Sequence, residues 1–563
     1  MAYNQEFGSL AFVLHSHLPY VLYHGTWPHG MSWLNEAAAE TYIPLLEVLH
    51  RLKEEGYTPH LTIGLSPVLV DQLSSSDFVS DFCNYLEERL AASQDDRDDF
   101  TRTGQEHRAY LAEWWESHYS RILEYFENSC NRDIVGSFRH LQDDGTIEII
   151  TCAATHGYLP LLGTDDAVRN QVHFGRSIYR KHFGADPRGI WLPECAYRPR
   201  YVWKSPIDDV EPFERAGVEE ILAEENIDYF IVDAHLLTGG EARGVYIERF
   251  AALKMLWEQF KDQYKPTKDF RGSPYEFFLV DSQAKKPVAF FVRDPETGLL
   301  VWSGEHGYPG DGWYLDFHKK HWPSGNRYWR VTAAKADLAD KWEYEPDKIL
   351  DRVNENASHF KEKAKELLRN ASRKPAIVCA PFDTELFGHW WFEGPIWLER
   401  VLRWVEDDPE ISLTTCGDFL QRNPPQAAFR LPEGSWGRGG HHFIWLNEWT
   451  AWTWQRIYEC ERQFPELAKK ATTSNNQLAI EVATQALREL LLLESSDWQF
   501  LISTWSARDY AESRVALHFE RFKQLAQFCK LIIEGHSLSK EQSEVLRTYQ
   551  EEDRIFPDLK LEE

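Results

Sequence analysis

The chain has 563 residues, a net charge of −28 at pH 7 and a pI near 5.3. A surface this acidic repels nucleic-acid backbones, anionic membranes and polyanionic substrates, which leaves neutral ligands as the easy partners. Aromatic residues are plentiful, with 23 Trp, 24 Tyr and 32 Phe. Most are expected in the core, but Trp joins a flat apolar face to one donor, which suits the C–H faces and polar rims of sugars.

Eight cysteines are scattered with no CxxC and no zinc-ligand spacing. The N-terminus shows no basic start followed by an apolar signal, and no apolar run reaches membrane-spanning length. The expectation is a cytoplasmic protein with reduced thiols, no membrane association and no nucleic-acid partner.

In chain order, "GSLAFVLHSHLPY" (8–20) reads as a buried strand running into a polar loop. Residues 33–56 have helical spacing closed by Gly56, and "HLTIGLSPVLV" (60–70) is again strand then loop. This β-α-β opening predicts a parallel sheet. Residues 71–132 are helical, polar and charged, and read as an insertion. Strand patterns resume at 146–158, 189–194, 229–237, 287–294 and 376–388, with helical stretches such as 166–183 and 211–225 between them. Together with 10–14 and 60–65 that makes seven strands, the makings of a barrel one strand short of the usual eight, or of an open sheet. After about residue 410 the texture changes to a long polar and aromatic segment and then to helices. The expected organisation is a catalytic barrel over 1–410 and a C-terminal helical domain over 411–563 that lends its aromatic segment to the site.

Ligands of parallel α/β folds bind beyond the carboxyl ends of the strands. Five of the predicted strands end in reactive residues: His15 and His17; His156; Glu194; Asp233 and His235; and Asp383, Glu385 and His389. Two carboxylates on separate strands, Glu194 and Asp383, suit acid and nucleophile work on a glycosidic bond. Each has a plainer alternative: an ion pair with Arg198 for Glu194, and a helix N-cap for Asp383. His15 and His17 in an HxH arrangement, with His156, His235 and Asp383, are also numerous enough to hold a metal. Equally, the histidines can hydrogen-bond sugar hydroxyls or sit satisfied in the core. The glycine-rich "GSWGRGGHHFIWLNEWTAWTW" (434–454) can turn Trp436 and Trp445 toward a cleft, or serve as a packed linker.

"HSHLPY", "THGYLPLL", "GIWLPECAYRP", "PFDTELFGHWWFEGP" and the 434–454 segment, in this order, together resemble glycoside hydrolase family 57, and within it the 1,4-α-glucan branching enzymes. The resemblance covers residues 8 to about 460. It implies an α/β fold, an incomplete (β/α)7 barrel with a helical insertion and an α-helical C-terminal domain. It implies Glu194 as nucleophile and Asp383 as acid/base, with His15, His17 and His156 lining the donor subsite. Trp33, Trp302, Trp436 and Trp445 would form aromatic walls. Tyr246, in the Gly-hinged segment 235–250, would shield the site from water unless that segment is an ordinary exposed turn. No metal or other cofactor is implied. The implied partner is an α-glucan such as amylose or glycogen, and the implied reaction is retaining transfer of a cleaved α-1,4 chain to a 6-hydroxyl. A 4-α-glucanotransferase or α-amylase of the same family, a metal-dependent hydrolase, and an inactive glucan-binding protein are the alternatives.

Overall fold

The computed structural model describes residues 6–238, 252–253, 255–256, 272–304 and 306–561. Among them are twelve strands: β1 (Gly8–Ser16), β2 (Leu61–Leu65), β3 (Ile147–Cys152), β4 (Gly189–Trp191), β5 (Tyr201–Trp203), β6 (Phe213–Arg215), β7 (Tyr229–Val232), β8 (Phe278–Val280), β9 (Ala289–Val292), β10 (Ile377–Asp383), β11 (Ile411–Leu413) and β12 (Ala428–Phe429). Seven of them run parallel in the order β10-β1-β2-β3-β4-β7-β9, and these are the seven strands expected from sequence. The antiparallel β8 takes the outer edge of β9. β10 meets β9 only just beyond its end, through the single bridge Arg293–Cys379 and the bond from Asp294 N–H to the Cys379 carbonyl at 2.9 Å. The barrel is therefore incomplete at this seam.

Strand parity fills the interior. Ala11 and Val13, Tyr229 and Ile231, Ala289 and Phe291, and Ile377 and Cys379 form one buried cluster with Trp191, while Leu10, Phe12 and Leu14 face the surrounding helices. A period of two carries each inward series to its carboxyl end, where the inward positions are His15, Asp233, Arg293 and, on β10 one step past Pro381, Asp383. The mouth of the barrel is thus lined by polar groups as a direct result of alternation.

Between β2 and β3 stand the two long helices Ser76–Arg102 and Glu106–Glu124. They are tied to the barrel side by the Trp115 indole, which donates to the Arg327 carbonyl at 2.6 Å. Two sequence expectations need correction. The sheet does not stop at 410: β11 pairs with β1, β12 pairs with β8, and Cys416 and Phe419 sit in the barrel-interior cluster. Strands of two or three residues are too short to show periodicity. Likewise 211–225 is not one helix, because β6 pairs with β5 as a ribbon before the helix Val218–Glu224 begins. From Ala451 onward the described chain is helical, with Ala451–Thr473, Gln477–Leu493, Asp497–Thr504, Arg508–Ile533 and Lys540–Glu552.

Candidate active site

A cavity of about 670 Å3 lies over the carboxyl ends of the barrel strands. Nine of the ten site residues expected from sequence line it: His15, His17, Trp33, His156, Glu194, Trp302, Asp383, Trp436 and Trp445. The tenth, Tyr246, lies outside the described residues.

Glu194 follows Pro193 in a short 3-10 turn and adopts φ 61°, ψ 24°. A left-handed conformation in a residue with a Cβ costs roughly 1–3 kcal/mol and persists only where the surroundings fix it. Here the fixing group is the 434–440 turn. The Trp436 N–H donates to the Glu194 carbonyl at 3.0 Å, and Tyr197 and Gly434 exchange backbone bonds at 2.8 and 3.0 Å. The Trp436 indole N–H then donates to Glu194 Oε2 at 2.7 Å, and the Ser496 hydroxyl to Oε1 at 3.4 Å. Burial pushes the Glu194 carboxyl up to about 7, opposed by the Trp436 bond and the nearby His17, with Asp497 adding to the rise. The expected alternative partner is engaged elsewhere, since Arg198 is buried 3.8 Å from Asp165.

Asp383 closes β10 opposite His15 in register. It does precede a 3-10 turn, Thr384–Leu386, but its side chain makes no capping bond. The next two side chains anchor the turn: Thr384 accepts from Ser16 at 2.7 Å, and Glu385 accepts from the His17 N–H at 3.1 Å and from the Tyr42 hydroxyl. Beyond the turn, Gly388 at φ +112° lies where a Cβ would meet the Glu40 carbonyl at 1.7 Å, so only glycine lets this loop seat on the helix carrying Glu40. Glu40 in turn binds His389 Nδ1 at 2.7 Å, and His389 also lines the cavity.

His15, His17 and His156 form one stack, with ring centroids of His17 and His156 3.8 Å apart. His15 Nε2 and His156 Nε2 are 3.0 Å apart, so one ring donates to the other. Burial holds both imidazoles well below the usual histidine range, so both are neutral at pH 7. His156 Nδ1 meets Ser496 Oγ at 2.8 Å, and His17 bridges Ser66 and Asp497 Oδ2 at 2.9 Å each. Two sets of possible metal-ligand atoms fall within this stack: His15, Cys152 and His156; and His17, His156 and Asp497. Asp383 and His235, which the HxH reading counted among the available ligands, belong to neither set. Both ring nitrogens of His17 and of His156 are already in hydrogen bonds.

Asp233 and His235 do not reach the cavity lining. Asp233 accepts from His235 and from Arg293, and His235 lies under the 434–440 turn, 2.1 Å from where a Cβ on Gly440 would stand. Arg293 itself lines the cavity, 5.9 Å from the ring centres of both Trp302 and Trp436. Trp445 is packed on Tyr158 at 4.5 Å, and its carbonyl accepts from the Trp454 indole, so the aromatic segment is both a cavity wall and a packed connection.

Sequence reasoning missed Arg293, Ser496 and Asp497. The signal for the last two was present as "ESSD", a polar quartet breaking the apolar helix run "LRELLLL". Asp497 is held down to about 2: burial raises it, and His17, His156 and Ser495 more than offset that.

The family model for glycosyl hydrolase family 57 matches residues 11–432, and a second model, described as 1,4-alpha-glucan branching enzyme, C-terminal, matches 456–562. A 1,4-alpha-glucan branching enzyme of Thermococcus kodakarensis is 42% identical over 523 residues, covering 92% of this chain and 73% of the relative. The crystal structure of a branching enzyme from Pyrococcus horikoshii is 39% identical with a TM-score of 0.87, covering 99% of this chain and 96% of that one. An alpha-amylase structure from Thermotoga maritima is 29% identical with a TM-score of 0.79, covering 98% of each chain. With three-quarters of its length matched by the family model and the incomplete barrel in place, the chain belongs to glycosyl hydrolase family 57.

Proposed function

We propose that this chain is a 1,4-α-glucan branching enzyme, in which Glu194 is the nucleophile and Asp383 the acid/base. The observation that carries the reading is the convergence of the two carboxylates, three histidines and four tryptophans on one cavity, in a chain similar throughout to branching enzymes.

Glu194 attacks the anomeric carbon of an α-1,4-linked glucose while Asp383 protonates the departing oxygen. The departing chain leaves, and its former partner stays on Glu194 as a covalent glycosyl ester. Asp383, now ionised, takes the proton from a 6-hydroxyl of an acceptor glucan as that oxygen displaces Glu194. Two inversions give net retention and an α-1,6 branch. The neutral, mutually bonded His15 and His156 rings form part of the cavity wall against which the sugar lies. The indoles of Trp33, Trp302 and Trp436 supply stacking faces, and transfer prevails over hydrolysis when those walls hold the acceptor and keep water out. Tyr246 is assigned to that water-excluding role on the resemblance alone. The neutral α-glucan substrate agrees with the acidic surface. Eight free cysteines, and no described helix long and apolar enough to cross a membrane, support a cytoplasmic setting.

The similarity to an alpha-amylase favours hydrolysis as the second reading. Proton NMR of amylose incubated with the protein separates the two. Growth of the α-1,6 anomeric signal with few new reducing ends is expected. Reducing ends without α-1,6 signal would mean an amylase.

A further inference from the structure

Away from the cavity, residues 312–344 form a small ribbon of three adjacent extended runs. Val331 N–H bonds to the Tyr314 carbonyl at 2.8 Å, Thr332 N–H to the Gly312 carbonyl at 2.9 Å, and Arg330 N–H to the Trp342 carbonyl at 2.9 Å. The back of the ribbon is fixed to the barrel. Leu315 N–H and the Tyr344 hydroxyl both donate to Glu393 Oε1, at 2.9 and 2.7 Å. The Tyr314 hydroxyl accepts from Asn356 at 2.7 Å.

The front carries Trp313 and Trp342 on either side of the central Arg330. The guanidinium carbon lies 4.0 Å from one ring centre and 4.9 Å from the other. Arg330 is buried, yet Trp313 is 38% and Trp342 63% exposed. Stacking on the cation orders both indoles while leaving large areas of each in water. Folding gains nothing from that exposure, because an apolar face left in water forgoes its burial free energy.

The geometry points to this Trp313–Arg330–Trp342 cluster as a second binding platform for α-glucan chains, outside the catalytic cavity. The inference rests on the glucan reading of the active site. Flat, ordered indole faces stack on pyranose C–H surfaces, and the protein's acidic charge disfavours anionic polymers. Two rings are too small an area for a stable protein interface, which buries about 800 Å2 per partner. The platform is joined to the site through the chain: Phe317, His318 and Lys320, between Trp313 and Arg330 in sequence, line the cavity. A long glucan crossing that wall meets the platform, whereas a short oligosaccharide held in the cavity does not.

The test is retention in amylose-containing native gels, with KM measured on amylose and on a short maltooligosaccharide, for wild type, Trp313→Ala and Trp342→Ala. Retention and KM on amylose are expected to weaken about three- to tenfold, with turnover of the short substrate unchanged. Hydroxyl-radical footprinting of the wild-type protein adds a measurement that needs no substitution: amylose is expected to protect Trp342, and the short oligosaccharide is not. Unchanged gel retention of both variants, or no protection of Trp342 by amylose, overturns the platform while leaving the active-site reading standing. A wild type that neither binds nor converts amylose overturns both.

Discussion

The Trp436 indole N–H donates to Glu194 Oε2 at 2.7 Å while the Trp436 backbone N–H holds the Glu194 carbonyl at 3.0 Å, so one residue of the aromatic segment grips this carboxylate at both ends. The side-chain bond favours the ionised form, the form that the proposed nucleophile role requires. Glu194 sits near 7 because burial outweighs that bond.

Trp436→Phe keeps the ring and removes the donor. Hydrogen bonds to charged groups contribute about 1.5–3 kcal/mol, and a pKa unit corresponds to about 1.4 kcal/mol. The Glu194 pKa is expected to rise by about one unit or more, so the acid limb of the kcat/KM profile moves toward alkaline pH. An acid limb that stays in place would detach the titration from Glu194.

Glu194→Gln is expected to abolish branching, with a fall on the order of 10^3-fold or more, since no path through a glycosyl-enzyme remains. Asp383→Asn is expected to lose about 10^2–10^4-fold on amylose. Its first step should lose far less with an aryl α-maltoside, whose leaving group needs little protonation. Equal losses on both substrates would argue against Asp383 as the acid.

Asp497 is held below its unfolded range by His17, His156 and Ser495, despite burial. A depressed carboxyl contributes stability that is fully present above its unfolded pKa and is lost as pH falls through its folded one. The contribution of about 2 kcal/mol should therefore disappear between about pH 4 and pH 2. Asp497→Asn should lower the urea midpoint at pH 7 and bring the two proteins together in acid. A constant gap across that window would refute the coupling.

Gly440→Ala would set a Cβ 2.1 Å from His235 Nε2 at a φ of +75°. The turn must shift, and Trp436 shifts with it. Turnover is expected to fall on the order of 10^2-fold, with only a few degrees lost in Tm. Activity within twofold of wild type would show that this contact does not position the turn.

Much of the site was legible in the chain because alternation is a local property. The apolar parity of 11, 13 and of 377, 379 carries directly to His15 and, on β10, to Asp383. Glu194 was recognisable as an acid at the end of an apolar strand, but its partner was not. Arg198, four residues on, was the obvious candidate, and it turns to Asp165 instead. The true partners, Trp436 and Ser496, lie 242 and 302 positions away.

The sequence by itself determined the seven parallel strands, the reactive residues at their carboxyl ends, the helical character of the long insertion and of the C-terminal segment, and, by resemblance, the family. Those features follow from hydrophobic period, turn residues and short motifs, each written within a few residues. Only the tertiary structure decided which nitrogen faces which oxygen in the histidine stack, which groups hold Glu194, and that Ser496 and Asp497 complete a barrel mouth begun at His15 and His17. The reason is physical: a hydrogen bond spanning 480 residues, such as His17 to Asp497, exists only after the helices carrying one partner have docked on the strands carrying the other.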